Sequence, residues 1–437
     1  MKKDLQLSAA ILEKYFDRLW PICRSITGNG LRESLKILSE IIPLQIHEVP
    51  TGRRVFDWEV PKEWNVSDAY ILTPDNKKIA SFASNNLHLV GYSVPLKKTM
   101  QWEELSKHLH TIPDLPDAIP YVTSYYKENW GFCISHREFL SLPKEGNYKV
   151  VIESSLEKGS MTYGDLVLKG ESEEEVLFST YVCHPSMANN ELSGPLVTAF
   201  LYSKIAAITK RKYTYRFVFI PETIGAVNYL FDHGFYLKEK LHAGYVVTCV
   251  GDKGPFTYKR SRIGNSLADR VAQHVLANKN ILSRCIDFDI GGSDERQYCS
   301  PGFNLPVGSL IRSVYHEYPE YHTSLDNKNF ISFDAMLNSV ETYFEIARVL
   351  ELNDKYINTN PYGEPMLGKR GLYPSQGAQR ERTDLLSNML YLLNYADGEH
   401  DLIKIAEQKN KSVLEFAEVV DTLVKAGLLT VKSKVVS

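Results

Sequence analysis

The spacing of apolar positions changes several times along the chain, and each change predicts a different kind of structure. Near the amino terminus, Ile11, Leu12, Tyr15, Phe16, Leu19 and Trp20 recur at helical spacing. A second helix is predicted over 31–41, after the turn signal at 27–30. From residue 51 to about residue 128 the pattern becomes short strands, turns and many aromatic residues. We therefore predict two leading helices within residues 1–50 and an inserted β-rich domain over 51–134.

The middle of the chain alternates between apolar strand-like runs and helical stripes. The predicted strands are 148–152, 165–168, 175–181, 215–220, 243–249 and 306–311. The predicted helices are 196–208, 228–236, 266–277 and 333–350. Near-continuous apolar strands that alternate with helices indicate a mostly parallel sheet buried on both faces. The predicted fold class is therefore α/β, with a mostly parallel sheet sandwiched by helices over 135–355 and the leading helices packed on it.

A third pattern follows a Pro-, Gly- and Tyr-rich linker that extends from Asn360 to Gly377. One helix is predicted from the stripe of Leu385, Leu386, Met389, Leu390, Leu392 and Leu393, and a short helix follows over 401–407. Ser412, with Glu415 three residues later, predicts a capping box at the start of a third helix that ends at Gly427. A strand over 428–431 completes the order of a winged helix, which we predict over 365–437.

Composition and charge narrow the class of protein. A chain of 437 residues should hold two or three domains, since single cores stop growing at roughly 250–300 residues. Its 43% hydrophobic and 24% charged residues are those of an ordinary globular protein, and a net charge of -3 gives no basic footprint for nucleic acid. No apolar run reaches the roughly 20 residues that span a bilayer, so no membrane partner is expected.

The chain start and the cysteines suggest a compartment. Asp4, Glu13, Lys14 and Asp17 interrupt the apolar core that a signal peptide would need. The six cysteines are scattered and contain no C-x-x-C pair, which fits reduced thiols better than a disulfide framework. We therefore expect a cytoplasmic location.

The first candidate chemistry lies where the apolar run 175–181 ends. His184 follows that run, and a loop of small residues then carries Glu191 to the start of a predicted helix. Imidazole and carboxylate groups are ordinary zinc ligands, and α/β enzymes keep their sites at the carboxyl ends of parallel strands. This segment therefore has the composition of half a metal site.

Three further clusters carry acids or histidine at strand ends. Glu222 follows 217–220, Asp294 follows paired glycines in 290–293, and His322 lies in a tyrosine-rich loop before the last helix of the sheet domain. Each has an ordinary structural explanation: a favourable charge at a helix start, a plain turn and a hydrogen-bonding loop residue, respectively. Their order along one predicted sheet favours a shared site.

That order, with these strings, resembles the zinc aminopeptidase and glutaminyl cyclase superfamily. Its members carry a strand-end His, an Ala-Asn-Asp-x-x-Ser-Gly loop whose Asp binds metal, a Glu-Glu-x-Gly element, a Ser-Asp loop and a late His-Thr ligand. Cys-His-Pro-Ser-Met-Ala-Asn-Asn-Glu-Leu-Ser-Gly over 183–194 and Pro-Glu-Thr-Ile-Gly over 221–225 resemble more closely the bacterial aminopeptidase-like domain family. That family carries an inserted β-rich domain and a C-terminal winged helix, so the resemblance covers nearly all of the chain and implies a zinc-peptidase-like fold.

The chain departs from the superfamily pattern at several metal positions. Asn190 stands where the bridging Asp is found, Thr223 stands in place of the second Glu, and only Asp252 lies near the end of the next strand. A two-zinc site would lose much of its carboxylate charge by these changes. We therefore expect one zinc ion, or none tightly held, with His184, Glu191 and His322 as ligands and one coordination position left for water.

The resemblance also implies roles for the remaining residues. Glu222 would be the general base that takes the proton of a metal-activated water. Asp294 would orient a ligand or hold the substrate's amino group. Arg262, Arg296 and Tyr321 are candidates for substrate binding, and the two arginines would suit a substrate carboxylate.

These residues lead to one functional hypothesis and two alternatives. The hypothesis is a zinc-dependent aminopeptidase or amidohydrolase that cleaves an amide bond in a small peptide-like or N-acyl substrate. The alternatives are a catalytically altered protein that binds a small ligand, and a winged-helix regulator that senses a metabolite. The regulator is disfavoured because the helix expected to face DNA carries Glu415, Glu418 and Asp421 with only Lys425. We expect the winged helix to pack or dimerise, with a homo-oligomer as a candidate assembly and no nucleic acid partner.

Overall fold

The computed structural model describes residues 7–279, 281–372 and 384–432. Its helices are α1 (Ala9–Leu19), α2 (Asn29–Leu38), α3 (Trp102–Leu105), α4 (His136–Ser141), α5 (Ser193–Ala206), α6 (Ile224–Lys240), α7 (Leu267–Asn278), α8 (Glu295–Tyr298), α9 (Phe333–Leu352), α10 (Asp384–Tyr395), α11 (Leu402–Gln408) and α12 (Ala417–Lys425). The part of the predicted linker over 373–377 lies outside the described residues.

The strands form one large sheet and several smaller ones. They are β1 (Gln45–Pro50), β2 (Arg54–Val55), β3 (Trp58–Glu59), β4 (Glu63–Leu72), β5 (Lys78–Ile79), β6 (Leu96–Gln101), β7 (Leu109–His110), β8 (Phe132–Cys133), β9 (Asn147–Glu157), β10 (Ser160–Leu168), β11 (Glu175–Tyr181), β12 (Thr214–Ile220), β13 (Leu241–Val246), β14 (Phe256–Lys259), β15 (Ser283–Ile286), β16 (Val307–Ile311), β17 (Lys355–Asn358), β18 (Asp397–Asp401) and β19 (Leu429–Val431).

The large sheet has eight strands in the order β1-β10-β12-β11-β13-β16-β14-β15. Its four central strands, from β12 to β16, are parallel neighbours, and antiparallel pairs join β10 and β14 to either side of them. Every residue of β11 and β12 is buried, because helices flank the sheet and both faces need apolar side chains. The predicted α/β class is confirmed, as a large mixed sheet whose central strands all end at one edge.

A second sheet has the order β5-β4-β9-β6, with antiparallel pairing throughout. The prediction that 148–152 begins the large sheet is wrong, because β9 pairs with β4 and β6 instead. Strands β2 to β8, which lie within 51–134, all belong to this sheet or to two-stranded pairs. The prediction that 51–134 is a separate domain stays a prediction. The same holds for the boundary at residue 50, which is the last residue of β1 in the large sheet.

The leading helices pack through the stripe that predicted them. Ser8 caps α1 by accepting a hydrogen bond from the backbone of Ile11. The buried face of α1 places Tyr15 against Phe200 of α5, with ring centroids 5.9 Å apart. Phe16 likewise packs edge-on against Phe333 at 5.5 Å. These contacts fix the loop after α1, which matters for the site described below.

The chain divides into two compact units, Met1–Asp269 with Leu282–Glu341 and Arg270–Ile281 with Thr342–Ser437. The second unit holds a three-stranded sheet in the order β18-β17-β19 together with α10, α11 and α12, which is a winged helix. The predicted capping box is confirmed, since Leu414 donates to Ser412 Oγ at 3.2 Å and Ser412 donates to Glu415 Oε1 at 2.9 Å. The first strand of this unit, β17, begins before residue 365, where the domain was predicted to start. Among the described residues, no helix is both long enough and apolar enough to cross a membrane.

Candidate active site

His184 lies three residues beyond the end of β11, at the edge where the central parallel strands end. The loop that follows is held by Asp326, whose carboxylate accepts hydrogen bonds from the backbone of Asn189 at 2.6 Å and of Asn190 at 2.8 Å. Burial raises the pKa of Asp326 to about 7, although these backbone donors act in the opposite direction. Asp326 therefore fixes the path by which the chain returns from His184 to α5.

Two carboxylates bracket the His184 imidazole. Glu191 Oε2 lies 2.9 Å from Nδ1, and Glu222 Oε2 lies 3.5 Å from Nε2. Burial alone would lower the pKa of His184, but its hydrogen bond to Glu191 and the charges of both acids raise it. Burial raises the pKa of Glu222, against the opposing charges of His184 and Arg296. Glu191 thus orients the ring, and Glu222 faces its other nitrogen.

His322 approaches from the tyrosine-rich loop and completes this group. Its ring stacks on Tyr321 with centroids 3.9 Å apart and lies 5.4 Å from the ring of His184. Its Nε2 is buried and has no hydrogen-bond partner. Burial, followed by the charges of His184 and His316, lowers the pKa of His322 to about 2, so the imidazole is neutral. The structure therefore brings His184, Glu222 and His322 together.

Asp294 acts on the turn that presents Glu222. Thr223 has φ 63°, a left-handed conformation that β-branched residues rarely adopt, and its backbone N–H donates to Asp294 Oδ1 at 2.7 Å. Arg296 Nη2 donates to Thr223 Oγ1 at 3.2 Å. The second oxygen of Asp294 is buried without a partner, and burial, then the charge of Glu222, raises its pKa well above the usual range. Asp294 thus supports the strained turn after Glu222.

Arg24 is a site residue that sequence reasoning missed. It is fully buried, and its Nε donates to the carbonyl oxygen of His184 at 3.1 Å and lies 3.6 Å from Glu191 Oε1. A second guanidinium nitrogen donates to the carbonyl oxygen of Leu19 at 2.6 Å. Burial lowers the pKa of Arg24, and the Glu191 charge opposes that shift. Arg24 therefore offsets the buried charge of Glu191 behind the histidine.

Of the three residues predicted to bind substrate, two lie at the site and one does not. Arg296 lines the cavity in front of His184, and Tyr321 stacks on His322. The structure does not bring Arg262 to the site, because it follows β14, which runs antiparallel to β16 and ends at the opposite edge of the sheet. The Arg262 side chain is exposed and donates to Asn304 at 3.4 Å.

The cavity in front of His184 has a volume of about 330 Å³. Its lining includes His184, Glu222, His322 and Arg296. It also includes four aromatic residues, here called the aromatic wall: Trp58, Tyr121, Tyr125 and Tyr126. The Tyr121 ring lies 5.1 Å from that of His184 and 5.2 Å from that of His322, and its hydroxyl lies 2.7 Å from the hydroxyl of Tyr125. The segment predicted as a separate lobe therefore supplies a wall of the cavity.

The two faces of His184 differ in how well they suit a metal ion. On the Nδ1 face, ligand atoms of Cys183, His184 and Glu191 all lie within 4.8 Å of one another. That face also meets the Arg24 cation, and burial raises the pKa of the Cys183 thiol well above its usual range, which keeps it neutral. On the Nε2 face, Glu222 and the unpartnered nitrogen of His322 line an open cavity. Among the described residues, only the group on the Nδ1 face brings three ligand atoms within 4.8 Å of one another. The Nε2 face has one close pair, His184 Nε2 and Glu222 Oε2 at 3.5 Å, and shares its cavity with His322.

The positions that depart from the superfamily pattern form a neutral network. Tyr181 donates its hydroxyl proton to Asn190 Oδ1 and lies 2.5 Å from Thr248 Oγ1, while Cys249 Sγ lies 3.8 Å from the same amide oxygen. The nearby acid, Asp252, accepts hydrogen bonds from Asn189 Nδ2 at 2.8 Å and from a backbone loop. These groups satisfy one another, so the described residues offer little charge for a second metal ion here.

Two family models and one relative match most of this chain. A family described as "Domain of unknown function (DUF4910)" matches residues 13–353, and one described as "winged helix-turn-helix" matches residues 354–431. A Clostridium acetobutylicum protein named "Putative polysaccharide biosynthesis protein with aminopeptidase-like domain" is 46% identical over 413 residues, which cover 94% of each chain.

Solved structures extend the likeness to the fold. The crystal structure of a "putative peptidase" from Clostridium acetobutylicum has a TM-score of 0.90 and 43% identity, with 97% of this chain and 96% of that chain covered. A zinc aminopeptidase from Bacillus subtilis has a TM-score of 0.55 at 12% identity, with 79% and 95% covered. At that identity the likeness concerns the fold alone. By the match to 13–353 and the identity to its relative, the chain belongs to the aminopeptidase-like family described as "Domain of unknown function (DUF4910)".

Proposed function

We propose that this protein is a zinc-dependent amidohydrolase of the aminopeptidase type that cleaves an amide bond in a small peptide-like or N-acyl substrate. The observation that carries the proposal is the meeting of His184, Glu222 and His322 at one cavity, with the buried Nε2 of His322 unpartnered. A buried nitrogen without a partner is costly unless something binds it. Imidazole nitrogens are ordinary zinc ligands, and His184 and His322 supply two of them to this cavity.

The residues of the chain would divide the work as follows. His184, through Nε2, and His322 would hold zinc, which when bound lowers the pKa of a water and polarises a carbonyl group. Glu191 would keep the His184 ring in place through Nδ1 rather than act as a ligand, because its other oxygen faces Arg24. Glu222 would accept the water's proton, and its raised pKa brings it closer to the operating pH of a general base.

Cavity size and lining support a small substrate. A volume of about 330 Å³ lies at the small end of the range for ligand sites. The aromatic wall would pack against a ring or an acyl chain, and Arg296 would bind a carboxylate of the substrate. The name of the Clostridium acetobutylicum relative mentions polysaccharide biosynthesis, and N-acylated sugars therefore belong among the substrates to be tested beside peptides.

A second candidate is a protein that binds a small ligand without hydrolysing it. It is favoured by the neutral network around Asn190, where the superfamily places a metal-binding acid. Under this alternative the cavity and the aromatic wall keep their binding role, while Glu222 has no catalytic one.

Hydrolysis assays on zinc-loaded full-length protein separate the two candidates. Aminoacyl and N-acyl amides are incubated with the protein, and the released amine is followed by NMR. We expect turnover of at least one class, which Glu222→Gln reduces by roughly 10²–10⁴-fold without loss of zinc. Glu103→Gln, an exposed change on α3, is the matched control and should leave turnover unchanged. No turnover together with a thermal shift by an N-acyl ligand would favour the second candidate, and zinc loss in Glu222→Gln would make Glu222 a ligand.

A further inference from the structure

A second and larger cavity lies outside the candidate active site. Its volume is about 770 Å³, within the range of small-molecule sites. It lies between the loop 21–30, the edge of β4 and the carboxyl-terminal half of β9. Many of its lining side chains carry hydroxyl or amide groups, among them Ser25, Thr27, Asn29, Asn65, Ser67 and Asn86.

The walls of this cavity are tied together by hydrogen bonds. Thr27 Oγ1 accepts from the backbone of Trp64 at 3.0 Å and lies 2.6 Å from the hydroxyl of Tyr92. The backbone of Asn29 donates to Asn65 Oδ1 at 2.7 Å. These bonds join the loop after α1 to β4, so the cavity is formed by the fold itself and needs no ligand to shape it.

A bulge in β4 lies among the lining residues of the cavity. Val66 pairs with Ser154 and Asp68 pairs with Glu153, so Ser67 is an extra residue in the ladder. Its hydroxyl donates to the carbonyl oxygen of Glu153 at 3.2 Å. Bulges are frequent beside functional sites because they redirect side chains.

The charges of the lining select the class of ligand. Glu33 and Glu153 contribute carboxylates, and none of the described lining residues is a lysine, an arginine or a histidine. An anion would therefore meet like charge. An uncharged molecule rich in hydroxyls can donate to the carboxylates and amide oxygens and accept from amide and hydroxyl groups. Phe82, which is half-buried, offers an apolar face of the kind that packs against a sugar ring.

The same short loop separates this cavity from the candidate active site. Cys23, Ser25 and Thr27 line the second cavity, whereas Ile26 lines the active-site cavity and Arg24 bonds to the carbonyl oxygen of His184. Pro21 and Ile22 also line the second cavity, so the division between the two cavities falls within residues 24–27. A ligand that displaces Ser25 or Thr27 therefore also acts on the backbone that holds Arg24 against His184.

We propose that the second cavity binds a neutral sugar, and that its occupancy is transmitted to His184 through the loop 21–27. The proposal concerns binding and does not rest on the hydrolysis proposed above. The hydroxyl, amide and carboxylate groups of the lining determine the class of ligand. The transmission is inferred because Ser25 and Thr27 line the second cavity, whereas Arg24 and Ile26, in the same loop, contact His184 and line the active-site cavity, respectively.

Binding is tested on the full-length protein with two probes, N,N'-diacetylchitobiose as the neutral sugar and glucuronate as the anionic one. We expect saturation-transfer NMR signals and a calorimetric binding isotherm with the neutral sugar, and none with glucuronate. Ser67→Trp should fill the cavity and weaken binding by at least about tenfold. Ser141→Trp, an exposed change on α4 away from the lining, should bind as the wild type does.

Transmission is tested with protein labelled on its histidine rings, with the His184 signal assigned from His184→Gln. Adding the neutral sugar should move the His184 signal in the wild type and leave it in place in Ser67→Trp. Absence of binding, equal binding of glucuronate, or unchanged affinity in Ser67→Trp would each overturn the site. Binding that leaves the His184 signal unmoved would overturn the transmission.

Discussion

Replacing Arg24 by methionine should be among the most destabilising single changes in this chain. Methionine keeps most of the side chain's length but removes the guanidinium, with its hydrogen bonds to the carbonyl oxygens of His184 and Leu19. It also leaves the Glu191 carboxylate, which is fully buried, without its neighbouring cation at 3.6 Å. Removing one partner of a buried pair costs about 3–5 kcal/mol of unfolding free energy, because the other charge stays uncompensated. We expect a loss in that range.

The measurement is urea unfolding of the metal-free protein, compared across Arg24→Met, Glu191→Gln and the double variant. The double variant should be more stable than the sum of the two single losses implies, by at least about 1 kcal/mol, because it removes the uncompensated charge. Arg137→Met is the matched control, since that arginine is 72% exposed and should change the unfolding free energy by no more than about 0.5 kcal/mol. A loss below about 1 kcal/mol in Arg24→Met, or additive losses, would refute the reasoning.

Three further predictions concern single residues. Asp294→Asn should cost less than about 1 kcal/mol of unfolding free energy, because burial already disfavours the charged carboxylate and the amide oxygen still accepts from the Thr223 N–H. Asp294→Ala should cost about 1–3 kcal/mol by leaving that N–H unpaired, and urea unfolding at pH 7 compares the two variants. His322 has a folded-state pKa of about 2, below its unfolded value, so its contribution is fully present above about pH 6.5 and is lost as pH falls. Between pH 6 and pH 4 the unfolding free energy of the metal-free wild type should therefore fall more steeply than that of His322→Gln, by up to about 1.4 kcal/mol per pH unit. Equal pH dependence of the two proteins would contradict the lowered pKa of His322. Ser412→Ala should destabilise the winged helix by about 0.5–2 kcal/mol in thermal unfolding, and Ser412→Thr should restore most of that loss.

The central strands of the large sheet could be predicted because burial on both faces leaves an unbroken apolar run. β11 covers the predicted run 175–181. Because parallel strands end at one edge of a sheet, the sequence alone predicted that His184 and Glu222 would lie at the same edge. The capping box of Ser412 and Glu415 could be predicted for a similar reason, since both of its hydrogen bonds form within four residues.

The edge strands and the partner of β9 could not be predicted in the same way. The residues of β1 and β15 are exposed or half-buried, except for one buried residue in β1, and show no apolar run that distinguishes them from loops. The apolar residues of β9 are compatible with either sheet, and its pairing with β4 joins positions more than eighty residues apart, such as Tyr70 and Val151. Strand pairing at that separation depends on the whole fold and not on local pattern.

The site was predicted only as far as local motifs reach. Arg24 contacts His184 across 160 positions, and no spacing in the segment 21–27 marks it as a site residue. The sequence shows that the segment containing Tyr121 and Tyr125 is rich in aromatic residues. It does not show that these residues lie beside His322. The spacing of His184 and Glu191 predicted that the two would be close, whereas only the structure shows which ring nitrogen the carboxylate faces.

The metal site is tested most directly by zinc content, measured by plasma mass spectrometry on full-length protein purified without chelators. We expect one zinc ion per chain in the wild type and in Glu222→Gln, because His184 and His322 supply the nitrogen ligands. His322→Ala should lose the zinc while keeping its fold, as judged by circular dichroism. A wild type that holds no zinc or two ions per chain, or a folded His322→Ala that keeps its zinc, would contradict a single site shared by these two histidines.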